Sequence, residues 1–211
     1  VDWATRKETS RWEHAEVPGA EKHTDGLQGA PAHGLGIPDG KHLWSTSKVN
    51  GYAYVYNLSD LKEVGRVFVG QHPEWFTFTP DGKTLIVGET VGFCLTAFDI
   101  GSDGSLANRR VWAPTLPRIP DGICLDASGA VWFANPMAGE CVRIAEGGEV
   151  LDVVETGQTC FACMLGGDDG KTLFVTARTS VYKLPVQVAG APIPPPKLAA
   201  PPAAKPAESG K

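Results

Sequence analysis

Three residues with metal-binding side chains occupy equivalent points of a repeating pattern. His33, Glu74 and Asp121 each stand at the start of a repeat, and Phe161 takes the same position in a fourth. An imidazole and two carboxylates can hold zinc, or a harder cation with added water molecules. Such a cation polarises a carbonyl group and lowers the pKa of a bound water, which favours ester hydrolysis. The three residues are therefore candidate metal ligands, with Glu74 and Asp121 as candidate catalytic groups.

The repeat itself has a period of about 40 residues and lies between residues 30 and 188. Each unit contains an alternating strand, a tight turn with glycine and a second strand, which is typical of a hairpin. The four segments are HGLGIPDGKHLWSTS, EWFTFTPDGKTLIVGE, DGICLDASGAVWFAN and FACMLGGDDGKTLFVTA. The first three units continue into further short strands, in the order typical of propeller blades. We predict an all-β propeller of about four four-stranded blades, with a partial ring or a ring completed by an oligomer as alternatives.

Equivalent positions in a propeller lie at equivalent points around its central axis. We therefore expect His33, Glu74 and Asp121, with the ring of Phe161, to meet at one mouth of the channel. The alternative is that charged residues begin these strands only because propeller channels are polar and contain water. His72 is a further candidate ligand, although a histidine in this loop is expected to be solvated.

Other polar groups and the cysteines are predicted to be structural. Asp81, Asp126 and Asp169 fall in hairpin turns, where a carboxylate commonly accepts hydrogen bonds from the backbone. The five cysteines include Cys160 and Cys163, which have the spacing of redox and zinc sites. Because the sequence has no second such pair and no βαβ pattern around this one, we interpret both as buried thiols.

The two ends of the sequence differ from the repeats. Residues 1–29 contain one alternating stretch, residues 11–17, which could supply the strand that the last repeat lacks and so close the ring. Residues 189–211 are rich in proline and alanine, and this composition predicts an extended or disordered tail.

Composition limits the classes of partner. The chain has 211 residues, of which 42% are hydrophobic and 20% charged, as in a soluble globular domain. A net charge of −5 argues against nucleic acid as a partner. No apolar run approaches the roughly 18 residues that cross a bilayer, so we expect a soluble protein without a membrane partner, either cytoplasmic or exported.

The motifs TLIVGET, LTAFDIGSDGSLANRRVWA, RIPDGICLDASGAVWFAN and CFACMLGGDDGKTLFVTA carry a family resemblance. From about Thr84 to Arg178 the chain resembles the senescence marker protein/gluconolactonase/luciferin-regenerating enzyme family of six-bladed, metal-dependent lactonases. The preceding segment, about 33–84, resembles a YVTN-type propeller repeat. Because the two resemblances meet at PDGKTL, a hybrid of two propellers, natural or engineered, is a further hypothesis.

The lactonase resemblance implies a metal-dependent hydrolase of lactones or related esters, with one divalent cation, calcium or zinc, in the channel. It implies ligands from a Glu near the N-terminus, an Asn in a middle blade and the Asp of a PDG motif. Asp121 matches that Asp, Glu74 stands where the Asn is expected, and His33 stands where the Glu is expected. The Arg and Asn that contact substrate in the family have no counterpart that we find. The alternatives are a non-catalytic propeller that binds a partner and an engineered hybrid scaffold.

Overall fold

The computed structural model describes residue 14 and residues 32–102 and 104–192. In these residues, all fifteen strands belong to four antiparallel sheets, each built from consecutive strands. The sheets form the blades of a four-bladed β-propeller, which confirms the all-β prediction. No helix in the described ranges is long and apolar enough to cross a membrane.

The blades follow one another along the chain. Blade 1 contains β1 (Ala32–Gly36), β2 (His42–Ser47), β3 (Tyr52–Asn57) and β4 (Glu63–Phe68), and blade 2 contains β5 (Pro73–Phe78), β6 (Thr84–Glu89), β7 (Cys94–Ile100) and β8 (Leu106–Pro114). Blade 3 contains β9 (Ile123–Leu125), β10 (Val131–Asn135), β11 (Glu140–Ile144) and β12 (Val150–Glu155), and blade 4 contains β13 (Cys160–Gly166), β14 (Thr172–Ala177) and β15 (Val181–Pro185). The first strands are neighbours in the order β1, β5, β9 and β13, so they bring the repeat starts together.

Tight turns join the first two strands of each blade, as the sequence predicts. In blade 2, Gly82 has a φ of 68°, a conformation that favours glycine. The carboxylate of Asp81 accepts hydrogen bonds from the hydroxyl of Thr79 and the backbone N–H of Lys83. Asp126 and Asp169 also accept backbone hydrogen bonds in their own turns. These aspartates therefore have the structural role expected of them.

The hydrophobic core consists of apolar layers between adjacent blades. Trp44, Phe76 and Phe98 pack between blades 1 and 2. A second layer, which includes Trp112 and Phe133, lies between blades 2 and 3. Because each layer holds side chains from two sheets, the layers fix the positions of the blades relative to one another.

Four cysteines pack in the third layer, between blades 3 and 4. Cys124, Cys141, Cys160 and Cys163 are all buried, and all are free thiols. The Sγ atom of Cys160 lies 3.0 Å from the carbonyl oxygen of Glu140 and 4.0 Å from Sγ of Cys141. The Sγ atom of Cys163 lies 3.5 Å from the carbonyl oxygen of Gly122. The two cysteines of the C-x-x-C motif thus contact different parts of blade 3, β11 and the residue before β9, in line with a packing role.

The predicted ring-closing strand at residues 11–17 falls outside the described residues, except for His14. The imidazole of His14 stacks on Tyr54 at 4.3 Å between ring centroids, and its Nδ1 lies 2.7 Å from the hydroxyl of Tyr56. His14 therefore contacts blade 1. At the other end, Ala191 donates its N–H to the carbonyl of Leu125 in blade 3, and residues 193–211 of the predicted tail lie outside the described residues.

Candidate metal centre

The side chains of His33, Glu74 and Asp121 meet in the structure. His33 lies in β1, Glu74 lies in β5, and Asp121 lies two residues before β9. One ligand atom from each residue is within 4.8 Å of the other two. We call these three residues the ligand cluster. The convergence expected from the repeat is therefore present, and the three residues come from three successive blades.

Phe161, which shares their position in the repeat, contributes differently. Its backbone carbonyl accepts a hydrogen bond from the N–H of Gly122, at 2.8 Å. The residue is 45% exposed, and its ring is not among the described groups that contact the cluster. Phe161 thus holds the backbone next to Asp121.

Basic groups surround the carboxylate of Glu74, which is 4% exposed. His33 Nε2 lies 2.8 Å from Oε2, whereas Lys48 Nζ lies 2.7 Å and His72 Nδ1 3.3 Å from Oε1. Burial by itself raises the pKa of Glu74, but His33, His72 and Lys48 together lower this pKa well below its usual range. Glu74 is therefore an anion at neutral pH.

Asp121 has the opposite electrostatic environment. Burial, followed by the negative charge of Glu74, raises the pKa of Asp121 from its ordinary value to about 7. Its Oδ1 atom is buried and has no hydrogen-bond partner among the described residues. A buried carboxylate oxygen without a partner is costly. A cation beside Glu74 and Asp121 would remove both the missing contact and the charge repulsion.

Backbone contacts set the positions of the two carboxylates. Thr46, in β2, donates its hydroxyl to the carbonyl of Glu74 and accepts the N–H of Gly34. Asp121 donates its N–H to the carbonyl of Ala134, in the second strand of its own blade. A Cβ atom at Gly122 would lie 2.5 Å from Cα of Ala162, so only glycine permits this approach of blades 3 and 4.

The structure corrects one expectation and adds one residue. His72 was expected to be solvated, but it is 3% exposed, and its backbone φ of 55° just before β5 accompanies a side chain that lies 3.3 Å from Glu74. The sequence repeat does not predict a contact between Lys48 and this site. Lys48 directly follows β2, and its position in the repeat corresponds to that of Thr90, which follows β6. Thr90 donates to the carbonyl of Pro120, beside Asp121, so this position reaches the start of the next blade.

An apolar cavity of about 250 Å³ lies between the first strands of the blades. Its lining includes Trp75, Phe78, Leu125 and Met164. Trp75 also contacts His33 edge to face, with ring centroids 6.4 Å apart. The tryptophan next to Glu74 thus lines the inner cavity.

The donor set fits a divalent cation. It offers one imidazole nitrogen and two carboxylates, and one of the carboxylates has a buried oxygen without a described partner. Zinc accepts such mixed nitrogen and oxygen ligands, and calcium accepts carboxylates together with water. The cluster leaves the other positions around such an ion to water or substrate.

The fold and the cluster define a β-propeller with a candidate divalent-cation site where its inner strands converge. Residues 38–179 match the family described as SMP-30/gluconolactonase/LRE-like region. The chain belongs to this family. The match extends well before Thr84, where the resemblance in the sequence motifs begins.

The individual relatives match this chain over only part of their own length. Regucalcin from Danio rerio is 28% identical over 188 residues, which cover 84% of this chain and 61% of the relative. A 6-deoxy-6-sulfogluconolactonase from Pseudomonas putida is 30% identical over 105 residues, 47% of this chain and 36% of the relative. The crystal structure of regucalcin from Agrobacterium tumefaciens, a calcium-binding protein, superposes with a TM-score of 0.62 at 18% identity and covers 75% of this chain and 62% of that one. The chain thus spans about three fifths or less of the length of these relatives.

Proposed function

We propose that this chain is a divalent-metal-dependent hydrolase of the gluconolactonase type, acting on lactones or related esters. The observation that carries the proposal is the convergence of His33, Glu74 and Asp121 within 4.8 Å. Family membership supports the reaction class. The regucalcin of Agrobacterium tumefaciens binds calcium, and the Pseudomonas putida relative is named as a lactonase, which makes calcium the first metal to test.

The three residues have distinct proposed roles. Glu74 supplies a permanent negative charge because its pKa is lowered. Asp121 supplies the second carboxylate, and because its pKa in the metal-free protein is about 7, metal binding at or below neutral pH must displace its proton. His33 adds a nitrogen ligand from the neighbouring blade. When bound, the cation would polarise the substrate carbonyl and lower the pKa of a neighbouring water molecule.

The test combines metal content with turnover. The purified chain is dialysed, its calcium and zinc are measured by elemental analysis, and hydrolysis of a simple γ- or δ-lactone is followed before and after chelation. We expect about one bound ion and turnover that chelation abolishes and added metal restores. Asp121→Asn should lose both metal and turnover, whereas Asp168→Asn, at an exposed position, should keep them. Turnover that survives chelation and the Asp121 change would refute the proposal.

The second candidate is a non-catalytic propeller that binds a partner. One observation favours this candidate. The ammonium of Lys48 lies 2.7 Å from Glu74 and balances its negative charge without a metal. This candidate would fit the YVTN-type resemblance of residues 33–84. It would also fit an engineered hybrid scaffold. A folded chain with neither bound metal nor lactone hydrolysis would favour it over the hydrolase.

A further inference from the structure

A lysine side chain lies inside the candidate metal centre. Lys48 follows β2, and its side chain is 11% exposed. Its Nζ atom lies 2.7 Å from Oε1 of Glu74, a distance typical of a charge-assisted hydrogen bond. The neighbouring Thr46 binds the carbonyl of the same glutamate. The end of β2 therefore contacts both the backbone and the side chain of one candidate ligand.

When a metal binds, the ammonium of Lys48 and the cation both lie beside the carboxylate of Glu74. His33 Nε2 lies at Oε2 of Glu74, and Lys48 Nζ lies at Oε1, so both oxygens already have basic neighbours. A divalent cation bound by Glu74 would lie within a few ångströms of the ammonium. Like charges at such a separation in a buried site repel strongly, because little water screens them.

We propose that Lys48 is an internal counter-cation that competes with a divalent metal for Glu74 and thereby lowers the metal affinity of the cluster. The inference rests on the proposed metal site and adds the residue that regulates it. Without metal, the ammonium balances a buried carboxylate. With metal, the ammonium must move away from Glu74 or tolerate the repulsion. Lys48 thus keeps the metal-free cluster assembled at the expense of metal binding.

Among the four described blades, a buried charge at the position of Lys48 occurs only in blade 1. The equivalent position holds Thr90 after β6, Pro136 after β10 and Arg178, which is exposed, after β14. Thr90 makes a neutral hydrogen bond to the carbonyl of Pro120, and proline offers no side-chain donor. Blades 2 and 3 therefore form without a charged residue at this position, so the blade architecture does not require one.

The test compares Lys48→Met with the wild type by calorimetric titration with calcium chloride and with zinc chloride, at one fixed pH. We expect the Kd of Lys48→Met to be lower by about tenfold or more, since a charge a few ångströms away commonly changes a proton affinity by one to three pKa units. Lys48→Arg should bind metal about as weakly as the wild type. Lys62→Met is the matched control, because Lys62 is 80% exposed, and it should leave the Kd unchanged. If Lys48→Met does not fold, Lys48→Gln replaces it.

The outcomes separate this proposal from the proposed function. Tighter binding in Lys48→Met, with a lower Tm in chelator than the wild type, supports the inference even if the wild type binds too weakly to be a metalloenzyme. Metal binding by the wild type with an unchanged or higher Kd in the folded Lys48→Met variant overturns the inference and leaves the hydrolase standing. Absence of binding in both proteins overturns both.

Discussion

Glu74 and Asp121 lie in one cluster, yet their pKa values move in opposite directions. Basic groups lower the pKa of Glu74, whereas burial and the charge of Glu74 raise that of Asp121 to about 7. Two nearby carboxylates in different environments commonly separate in this way. In the metal-free protein, one is thus a fixed anion and the other holds a proton through mildly acidic pH.

This separation predicts how the stability of the metal-free protein depends on pH. Between about pH 4 and pH 7, Asp121 binds more protons in the folded state than in the unfolded state, whose pKa is near the ordinary 3.8. The free energy of unfolding should therefore fall as pH rises through this window and stay low above it. Asp121→Asn removes the titration, so at pH 8 it should be more stable than the wild type by about 2–4 kcal/mol.

Urea unfolding in chelator at several pH values measures this difference. It should shrink as the pH falls towards 4, where the wild-type carboxyl is protonated in both states. Asp168→Asn is the exposed control and should follow the wild type at every pH. A difference between Asp121→Asn and the wild type that does not change with pH would contradict the raised pKa.

Metal affinity should depend on pH through the same group. A cation needs Asp121 ionised, so binding below about pH 7 must displace its proton. We expect the affinity for calcium to rise with pH by up to about tenfold per unit below pH 7 and to level off above it. Titrations in buffers of different ionisation enthalpy would detect the released proton. An affinity that is already constant from pH 5.5 to 8 would contradict this assignment.

The sequence repeat was sufficient to predict that His33, Glu74 and Asp121 lie close together. His33, Glu74 and Asp121 are far apart in sequence, but they share one position of the repeat, and that position recurs at the start of each blade. The same reasoning predicted the all-β propeller. These features depend on periodicity, which a single sequence displays directly.

Lys48 could not be predicted in this way, because a lysine side chain is long and is usually solvated. A signal was available in the position that it shares with Thr90, after the second strand of a blade. In both blades, this position contacts the start of the next blade. The burial of His72 was also missed, since the residue lies in a loop just before β5.

The cysteines between blades 3 and 4 should affect stability and not metal content. Replacing Cys160 or Cys163 with Ser places a hydroxyl in an apolar layer, and each change should lower the free energy of unfolding by about 1–3 kcal/mol. Cys94→Ser, at a partly exposed site, is the control and should cost less. Denaturant unfolding measures stability, and elemental analysis measures bound metal. If a variant with both Cys160→Ser and Cys163→Ser lost bound metal while still folded, the structural role of the two cysteines would be wrong.

The close approach of blades 3 and 4 next to Asp121 should tolerate no side chain. In Gly122→Ala, the new Cβ would lie 2.5 Å from the backbone of Ala162, so one of the two blades must shift. We expect a loss of about 1–3 kcal/mol in stability, and weaker metal binding because Asp121 precedes the altered residue. Gly65→Ala is the matched control, since a Cβ there meets no atom within 4 Å and its φ is not positive. It should leave stability within about 0.5 kcal/mol of the wild type, and equal losses in the two variants would show that the contact with Ala162 is not the cause.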